Sequence, residues 1–265
     1  MLEYMKKIYD NNTMKINTIL KIYGRQPVIE ALRSEKRVNK VWLAKEAEGK
    51  IIARIERRCL KNNVSVVKVG KNDLQKIVGA VVHQNVAAEI EFNPFITNGT
   101  FKKIISKKNI LILILDQIQD AHNMGAILRT AEITAVDLII FPAKGSAELN
   151  ATVAKTSAGA LFHVPLFLTN DLAAVINILK EGGVNVYAAM GNAESNIYET
   201  DFSDSTAIII GSEGKGVRKN IANLCDAGIS IPQYGRINSL NASVSAAIIL
   251  YEVVRQREFE RTIKI

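Results

Sequence analysis

Residues 207–257 read AIIIGSEGKGVRKNIANLCDAGISIPQYGRINSLNASVSAAIILYEVVRQR. The apolar run 207–210 predicts a buried strand, and the glycines of 211–216 predict a tight turn directly after it. A second short strand is predicted at 229–231, and a polar loop at 233–241 leads from it into a long apolar helix. Ligands of open α/β sheets bind beyond the carboxyl ends of the strands. The two loops therefore predict a small-molecule site.

The chain from residue 109 onward alternates strands with helices. The run ILILIL at 110–115 contains no polar residue, which is typical of a parallel strand buried on both faces. Further strands are predicted at 138–142 and 185–190, with helices between them. This order predicts an α/β domain over 109–265, built on a parallel sheet that helices cover on both faces.

Two shorter stretches precede that domain. Residues 20–94 contain predicted strands at 39–44 and 64–69 on either side of a basic helix, and they are interpreted as a small α/β domain. Residues 93–109 contain a proline, an Asn-Gly pair and four lysines, so 95–108 are interpreted as a linker. The first twenty residues are expected to form an extension.

The basic helix of the small domain carries Arg54, Arg57, Arg58 and Lys61 at helical spacing, so these four side chains share one face. That face is either a phosphate-binding surface or an ordinary solvated surface, and the sequence leaves both interpretations open. The apolar residues of the same helix, Leu60 among them, are predicted to face the core.

Charge is unevenly divided along the chain. Residues 1–95 hold 18 Lys and Arg against 10 Asp and Glu, whereas residues 109–265 hold 12 against 16. A basic half joined to a mildly acidic half favours a polyanion-binding domain attached to a catalytic body.

Cysteine content and hydropathy exclude several classes of protein. Cys59 and Cys225 are too few for a disulfide framework or a metal cluster, so no metal is expected. No apolar run is long enough to span a membrane, and the first twenty residues lack the apolar core of a signal peptide. We therefore expect a cytoplasmic protein with no membrane partner.

Three motifs carry the functional signal. The first reads HNMGAILRTA at 122–131, the second reads IIGSEGKGV at 209–217, and the third reads IPQYGRINSLNASVS at 231–245. In this order and at these spacings they resemble the motifs of the SpoU (TrmH-like) family of SPOUT RNA methyltransferases. Within that family the chain is most similar to the RlmB-type 23S ribosomal RNA guanosine 2′-O-methyltransferases. Residues 20–94 resemble the ribosomal-protein-like substrate-binding domain of that group.

The resemblance implies a fold and a cofactor that composition alone does not indicate. SPOUT domains carry a deep trefoil knot, so the loops after 211 and 232 are expected to form it. S-adenosylmethionine is the implied methyl donor, bound largely by backbone groups. The implied cofactor-binding residues are Gly211, Gly214, Gly216, Ile231 and Leu240. Glycine suits such a pocket because it permits tight turns and close backbone approach.

The resemblance also assigns the catalytic residues, which are Asn123, Arg129, Glu213, Ser239 and Asn241. A ribose 2′-hydroxyl must lose its proton as it attacks the methyl group. Arg129 is implied as the central residue, but a guanidinium stays protonated, so a phosphate-positioning or electrostatic role is chemically easier than that of a base. Asn241 is also a candidate N-cap of the following helix. None of the three histidines is predicted to act in catalysis.

The function that follows is the transfer of a methyl group from S-adenosylmethionine to a ribose 2′-hydroxyl of RNA, with 23S ribosomal RNA guanosine as first choice. A tRNA methyltransferase and a resistance-type ribosomal RNA methyltransferase are alternatives. The alternative from another class is a non-catalytic RNA-binding ribosome-assembly factor. The apolar surface of the last helix exceeds what one stripe needs, which predicts a homodimer.

Overall fold

The computed structural model describes residues 18–237 and 239–263. The extension expected over the first twenty residues lies outside this range up to residue 17. In chain order the elements are β1 (Thr18–Tyr23), α1 (Arg25–Ala31), β2 (Val38–Ala44), α2 (Lys50–Lys61), β3 (Ser65–Val69), α3 (Lys71–Val78), β4 (Val86–Phe92), α4 (Asn98–Ile105), β5 (Leu111–Asp116), α5 (Ala121–Ile133), β6 (Leu138–Pro142), α6 (Ala151–Thr156), a 3-10 turn (Ala160–Phe162), β7 (Leu166–Thr169), α7 (Leu172–Glu181), β8 (Asn185–Ala189), β9 (Ser195–Asn196), β10 (Thr206–Gly211), α8 (Lys219–Ala222), β11 (Ala227–Ser230) and α9 (Ala242–Ile263).

The chain divides into two compact units. Among the described residues, the N-terminal unit comprises 18–94 and Leu149–His163, and the C-terminal unit comprises Phe95–Glu148 and 164–263. The N-terminal unit is therefore discontinuous in sequence, because α6 and the 3-10 turn belong to it. Within this unit the ring of Phe162 meets that of Phe92 edge-on at 6.2 Å.

The N-terminal unit is built on a four-stranded sheet in the order β1-β4-β2-β3. Strand β4 is antiparallel to both β1 and β2, and β2 is parallel to β3. The sequence analysis missed β1, since no glycine or proline marks where this strand begins. In α2 the residues Ile52, Ile55 and Cys59 are buried, but Leu60 is 86% exposed. The prediction that Leu60 faces the core is wrong, because one residue turns the helix by about 100° away from Cys59.

The C-terminal unit is built on a seven-stranded sheet in the order β7-β6-β5-β10-β8-β11-β9, in which every pair of neighbours is parallel. The predicted α/β fold with a parallel sheet is confirmed. Strand β10 is central, and all six of its residues are buried. Its register with β5 places Gly211 opposite Asp116, so the ends of these two strands lie side by side.

Helices cover this sheet on both faces. Phe101 of α4 and Val175 of α7 share one core cluster with Ile112 and Ile209 of the sheet. Helix α9 packs on β10 and on α5. None of the helices in the described ranges combines the length and the apolar character that a bilayer crossing requires. The trefoil knot stays a prediction.

The structure differs from the expectation of a plain linker over 95–108. Helix α4 lies inside this stretch, capped by the Thr97 side chain, which accepts a hydrogen bond from the Thr100 amide at 3.2 Å. The ring of Phe101 stacks on that of Phe167 with centroids 4.2 Å apart. The four lysines are exposed. Lys102 and Lys103 lie on the solvent side of this amphipathic helix, and Lys107 and Lys108 follow its end. Its two buried residues, Phe101 and Ile104, form too short an apolar pattern to predict the helix.

Candidate active site

A cavity of about 420 Å³ opens at the carboxyl ends of β8, β10 and β11 in the C-terminal unit. This is the edge where ligands of parallel sheets bind. Eight of the ten predicted site residues line it, namely Gly211, Glu213, Gly214, Gly216, Ile231, Ser239, Leu240 and Asn241. The structure thus brings the second and third motifs together around one space. Asn123 and Arg129 of the first motif do not line it.

The glycine loop, which we define as residues 211–217, folds back on its own start. A Cβ atom on Gly211 would overlap the carbonyl carbon of Gly216 and the amide nitrogen of Val217. The amide of Gly216 donates to the carbonyl of Ser212 at 2.8 Å, which closes the turn. Gly214 and Gly216 have φ of +78° and +66°. Position 211 therefore requires glycine for space, whereas positions 214 and 216 favour it for backbone conformation.

An ion pair between Asp116 and Arg218 holds the residue that follows the glycine loop. Asp116 at the end of β5 is fully buried. Its Oδ1 accepts from Arg218 Nε at 2.8 Å and lies 2.6 Å from Arg218 Nη2, while its Oδ2 accepts from the Arg218 amide at 2.9 Å. The buried carboxylate is thus satisfied on both oxygens. The sequence analysis used Asp116 only as a strand end and gave Arg218 no role.

A second network joins all three motifs. Asn123 Nδ2 donates to Glu213 Oε1 at 2.7 Å. Asn241 Nδ2 donates to the same Glu213 oxygen at 2.5 Å and to Asn123 Oδ1 at 3.0 Å. The Glu213 carboxylate is therefore held between an amide on α5 and an amide at the start of α9. This triangle ties the tip of the glycine loop to the two helices.

Asn241 also caps α9. Its Oδ1 accepts from the amides of Ser243 at 2.9 Å and Val244 at 3.4 Å. These bonds satisfy two of the free N–H groups at the helix start. One side chain therefore serves the helix with its oxygen and the Glu213 carboxylate with its nitrogen. The predicted N-cap is confirmed, and the catalytic role of Asn241 stays a prediction.

Arg129 lies on a different face of α5 from Asn123. Six residues separate them, which is about 240° around a helix. The Arg129 side chain is exposed, and it forms no hydrogen bond or ion pair with the part of the chain that the structure describes. Four residues later on the same face, Ile133 is 59% exposed. The structure thus places Arg129 on an open helix surface rather than in the cavity.

None of the three histidines is among the residues that line the cavity, and their absence from catalysis stays a prediction. His122 is exposed. His163 Nε2 lies 3.1 Å from Glu30 Oε2 within the N-terminal unit. His83 is buried in the same unit, where burial and the nearby Lys71 lower its pKa. Among the residues described, no three His, Cys, Asp or Glu side chains are grouped in a way that would hold a metal ion.

The sequence analysis missed the contribution of β8. Ala189, Met190 and Gly191 line the cavity where this strand ends. Gly228 on β11 lets Met190 approach, since a Cβ at position 228 would lie 3.1 Å from its sulfur. The signal was present, because the predicted strand at 185–190 is followed directly by a polar loop. The rule that assigned the other two loops to the site applies to this one as well.

Comparison with known proteins identifies the family. A family model described as the SpoU rRNA Methylase family matches residues 110–251. The chain belongs to this family. A second model, described as RNA 2′-O ribose methyltransferase substrate binding, matches residues 21–95. The SpoU match spans all three motifs, and the substrate-binding match spans the four strands of the N-terminal sheet except the first residues of β1. The chain is an RNA 2′-O ribose methyltransferase of the SpoU family.

A relative agrees with the family assignment, and solved structures show the same fold. A protein of Staphylococcus haemolyticus named as a TrmH family tRNA/rRNA methyltransferase is 38% identical over 242 residues, which is 89% of this chain and 95% of the relative. The SpoU methyltransferase AviRb from Streptomyces viridochromogenes, solved in complex with AdoMet, has a TM-score of 0.78 at 21% identity and covers 97% of this chain and 98% of its own. An AdoMet-bound rRNA methyltransferase from Sinorhizobium meliloti has a TM-score of 0.75 at 21% identity, covering 89% and 87%.

Proposed function

We propose that this chain transfers the methyl group of S-adenosylmethionine to the 2′-hydroxyl of a guanosine in 23S ribosomal RNA. The observation that carries the proposal is the Asn123–Glu213–Asn241 network beside a cavity lined by the glycine loop. The cavity volume, about 420 Å³, lies within the range of small-molecule pockets. The three motifs that define the family meet at this one place.

The residues present fit S-adenosylmethionine. Ile231 and Leu240 line the cavity. Ile231 is partly buried and Leu240 is exposed, so an adenine ring between them would cover apolar surface. Gly211, Gly214 and Gly216 line the same cavity, and the absence of side chains there allows a purine edge and a ribose to approach the backbone closely. Ser239 lines the same wall. The bound donor supplies an electrophilic methyl group on a sulfonium.

Glu213 and Arg129 take separate tasks in this proposal. Glu213 is already held by two amide donors, so it positions the loop and keeps Asn123 and Asn241 oriented toward the substrate ribose. Arg129 remains charged at any working pH, and it contacts the RNA phosphate or the developing negative charge on the attacking oxygen. Asn123, Ser239 and Asn241 complete the ribose pocket.

Arg129 reaches the cavity in a homodimer under this proposal. Tyr251 and Val244 on α9 are 53% and 44% exposed, and Ile133 beside Arg129 on α5 is exposed as well. Such an apolar strip on two packed helices suits burial against a second copy of the chain. The site then combines motif one of one subunit with the donor pocket of its partner. If sedimentation at micromolar concentration shows a monomer that still methylates RNA, the proposed dimeric site is wrong.

Ribosomal RNA is preferred over tRNA because the chain has a basic N-terminal unit of the substrate-binding type. A cytoplasmic location follows from that target. The tRNA and resistance-type activities remain the alternatives within the class. A non-catalytic assembly factor is disfavoured, since Asn123, Glu213 and Asn241 form an intact network.

The deciding experiment maps 2′-O-methylation across total RNA from cells with and without the gene. We expect one guanosine of 23S ribosomal RNA to lose its methyl group. Loss confined to tRNA would select the first alternative. Unchanged methylation everywhere, together with no heat of binding for S-adenosylmethionine in calorimetry, would select the assembly factor.

A substitution at Arg129 tests its role. Arg129→Lys keeps the charge but loses the planar fork, so turnover should fall about a hundredfold if geometry matters to transition-state stabilisation. Calorimetry should show unchanged donor binding, because in this proposal Arg129 contacts the RNA and not the donor. Lys76→Ala, on an exposed lysine of the N-terminal unit, is a suitable control for expression and handling. Near-normal turnover of Arg129→Lys would refute a geometry-dependent role.

A further inference from the structure

The N-terminal unit contains two half-buried cations without a carboxylate partner. Lys155 on α6 and Arg25 at the start of α1 are both partly buried. Neither forms an ion pair with any residue that the structure describes. The one carboxylate of α1, Glu30, is engaged by Arg33 at 2.6 Å and by His163 at 3.1 Å. Burying a cation without a counter-ion is unfavourable, so such a pair needs an explanation.

Lys155 is held in place by close packing on a glycine. A Cβ atom on Gly24 would lie 2.5 Å from Lys155 Nζ and 3.1 Å from its Cδ. The lysine stem therefore lies along the Gly24 backbone, in space that any other residue would fill. The same Cβ position lies 3.3 Å from Gln84 Oε1, so the ammonium and the Gln84 amide are neighbours. Burial lowers the pKa of Lys155.

Arg25 is anchored through Gln84. The Arg25 amide donates to Gln84 Oε1 at 3.0 Å, and Arg25 Nε donates to the Gln84 carbonyl at 3.3 Å. These bonds use the backbone amide and the Nε of Arg25 and leave its two terminal NH2 groups available. Gln84 has φ of +55° and Asn85 has φ of +67°, which are unfavourable for residues other than glycine. A strained turn is thus maintained beside an arginine that it orients.

We infer that Arg25 and Lys155 together bind one backbone phosphate of the RNA substrate. Arg25 supplies a planar fork that matches phosphate oxygens, and Lys155 supplies a point charge beside it. The bound phosphate provides the counter-ion that the free protein lacks. This inference rests on the proposed function, since it names where that substrate is held. It also assigns the α6 segment, which lies between two strands of the methyltransferase sheet in sequence, to substrate binding.

The test separates this role from a structural one by using Lys155→Met, which keeps the stem on Gly24 and removes the charge. Binding is measured with 23S ribosomal RNA from cells that lack the gene, over a series of salt concentrations. Loss of one phosphate contact should lower the log–log salt slope by about 0.7–0.9, which corresponds to roughly five- to eightfold weaker binding at 0.1 M salt. The melting temperature should stay the same or rise, because an unpaired buried charge is gone.

Two control variants and a double-mutant cycle test whether the effect is specific to the Arg25 and Lys155 pair. Lys76→Ala removes a charge from the same unit at an exposed lysine paired with Asp73, and it should leave the slope unchanged. Lys155→Arg should restore most of the affinity. In a double-mutant cycle, Arg25→Ala combined with Lys155→Met should weaken binding by less than the product of the single effects, since both contact one phosphate. If Arg25→Ala does not fold, the Lys155 variants still decide the matter.

Failure of the phosphate site can be distinguished from failure of the proposed methyltransferase function. RNA binding needs neither donor nor turnover, so it can be measured whether or not methylation is found. If Lys155→Met binds RNA with the affinity and salt slope of the unchanged protein, the phosphate site is refuted and the methyltransferase proposal stands. If Lys155→Met weakens binding and also lowers the melting temperature as much as Lys155→Ala, the lysine is structural and the inference fails.

Discussion

The glycine loop of the C-terminal unit and the 83–85 turn of the N-terminal unit both bend the chain through left-handed backbone conformations, but with different residues. The glycine loop uses Gly214 and Gly216, at φ of +78° and +66°. The 83–85 turn uses Gln84 and Asn85, at +55° and +67°. The first bend contacts backbone at Gly211, whereas the second is held by side chains, which include His83 Nδ1 accepting from the Asn85 amide at 3.1 Å.

This difference shows what each bend depends on. The conformation of the glycine loop depends on close packing of backbone against backbone, so position 211 has no room for any side chain. In the 83–85 turn the backbone cost is offset by hydrogen bonds that Gln84 and His83 accept, and these can be removed one at a time. A substitution at position 211 should therefore disrupt the whole glycine loop. Single substitutions in the 83–85 turn should each lower its stability by a smaller amount.

The largest effect is expected at Gly211. Gly211→Ala puts a Cβ into Gly216 and Val217 within a closed loop, so we expect a loss of about 3 kcal/mol or more in stability and the loss of donor binding. Gly214→Ala is the matched control in the same loop. It meets nothing within 4 Å and should cost only the left-handed conformation, about 1–2 kcal/mol. Calorimetric titration with S-adenosylmethionine and thermal unfolding measure both, and equal losses would contradict the packing argument.

The next effect is expected at Arg218. Arg218→Ala leaves the buried Asp116 carboxylate with one backbone donor, so the free energy of unfolding should fall by about 3 kcal/mol, at the lower end for a buried pair because Arg218 is partly exposed. Lys68→Ala breaks the exposed pair with Glu56 and should cost less than about 1 kcal/mol. Urea unfolding of the two variants checks the contrast. A similar loss in both would mean that the Asp116 pair does not fix the glycine loop.

The features that could be predicted from the sequence are those that depend on local residue patterns. The parallel sheet was predictable because runs such as ILILIL at 110–115, most of which lies in β5, contain no polar residue, and such a local pattern is sufficient to predict a buried strand. The glycine loop and Asn241 were predictable because their residue types are tied to one backbone task. In each of these features, residues close together in the sequence are sufficient to predict the local structure.

What remained hidden depends on partners distant in sequence. Arg218 meets Asp116 from 102 residues away, and nothing near either residue indicates the other. The assignment of α6 to the N-terminal unit, and of Lys155 to Gly24, is likewise a product of topology. Strain in the 83–85 turn was not predictable, because Gln and Asn in that order do not specify left-handed conformations.

Acidification should loosen the 83–85 turn before it affects the C-terminal unit. Burial, with Lys71, lowers the pKa of His83, so its folded value lies below the unfolded value near 6.5. The stability it contributes is complete above about pH 6.5 and is lost as the pH falls through the folded value. Hydrogen bonding to Arg255 lowers the pKa of Glu252 in α9, which places the corresponding loss below about pH 4.5.

Trp42 reports on the N-terminal unit, since it is the only tryptophan and lies in β2. Urea unfolding followed by its fluorescence should show lower stability at pH 5.5 than at pH 7.5. His83→Asn offers a non-titrating acceptor for the Asn85 amide and should flatten that dependence, whereas Glu252→Gln should leave it unchanged. If His83→Asn keeps the full pH dependence, another group is responsible.

The smallest effect is expected from glycine at position 85. Asn85→Gly removes the left-handed cost at φ of +67° but adds conformational freedom to the unfolded chain, so the two changes should cancel to within about 0.5 kcal/mol. Asn85→Ala keeps the cost without the polar side chain that tolerates this region and should lose about 1–2 kcal/mol. The same fluorescence-monitored unfolding compares them. If Asn85→Gly loses as much as Asn85→Ala, the Asn85 side chain rather than its backbone holds the turn, and the two bends differ even more than their φ values indicate.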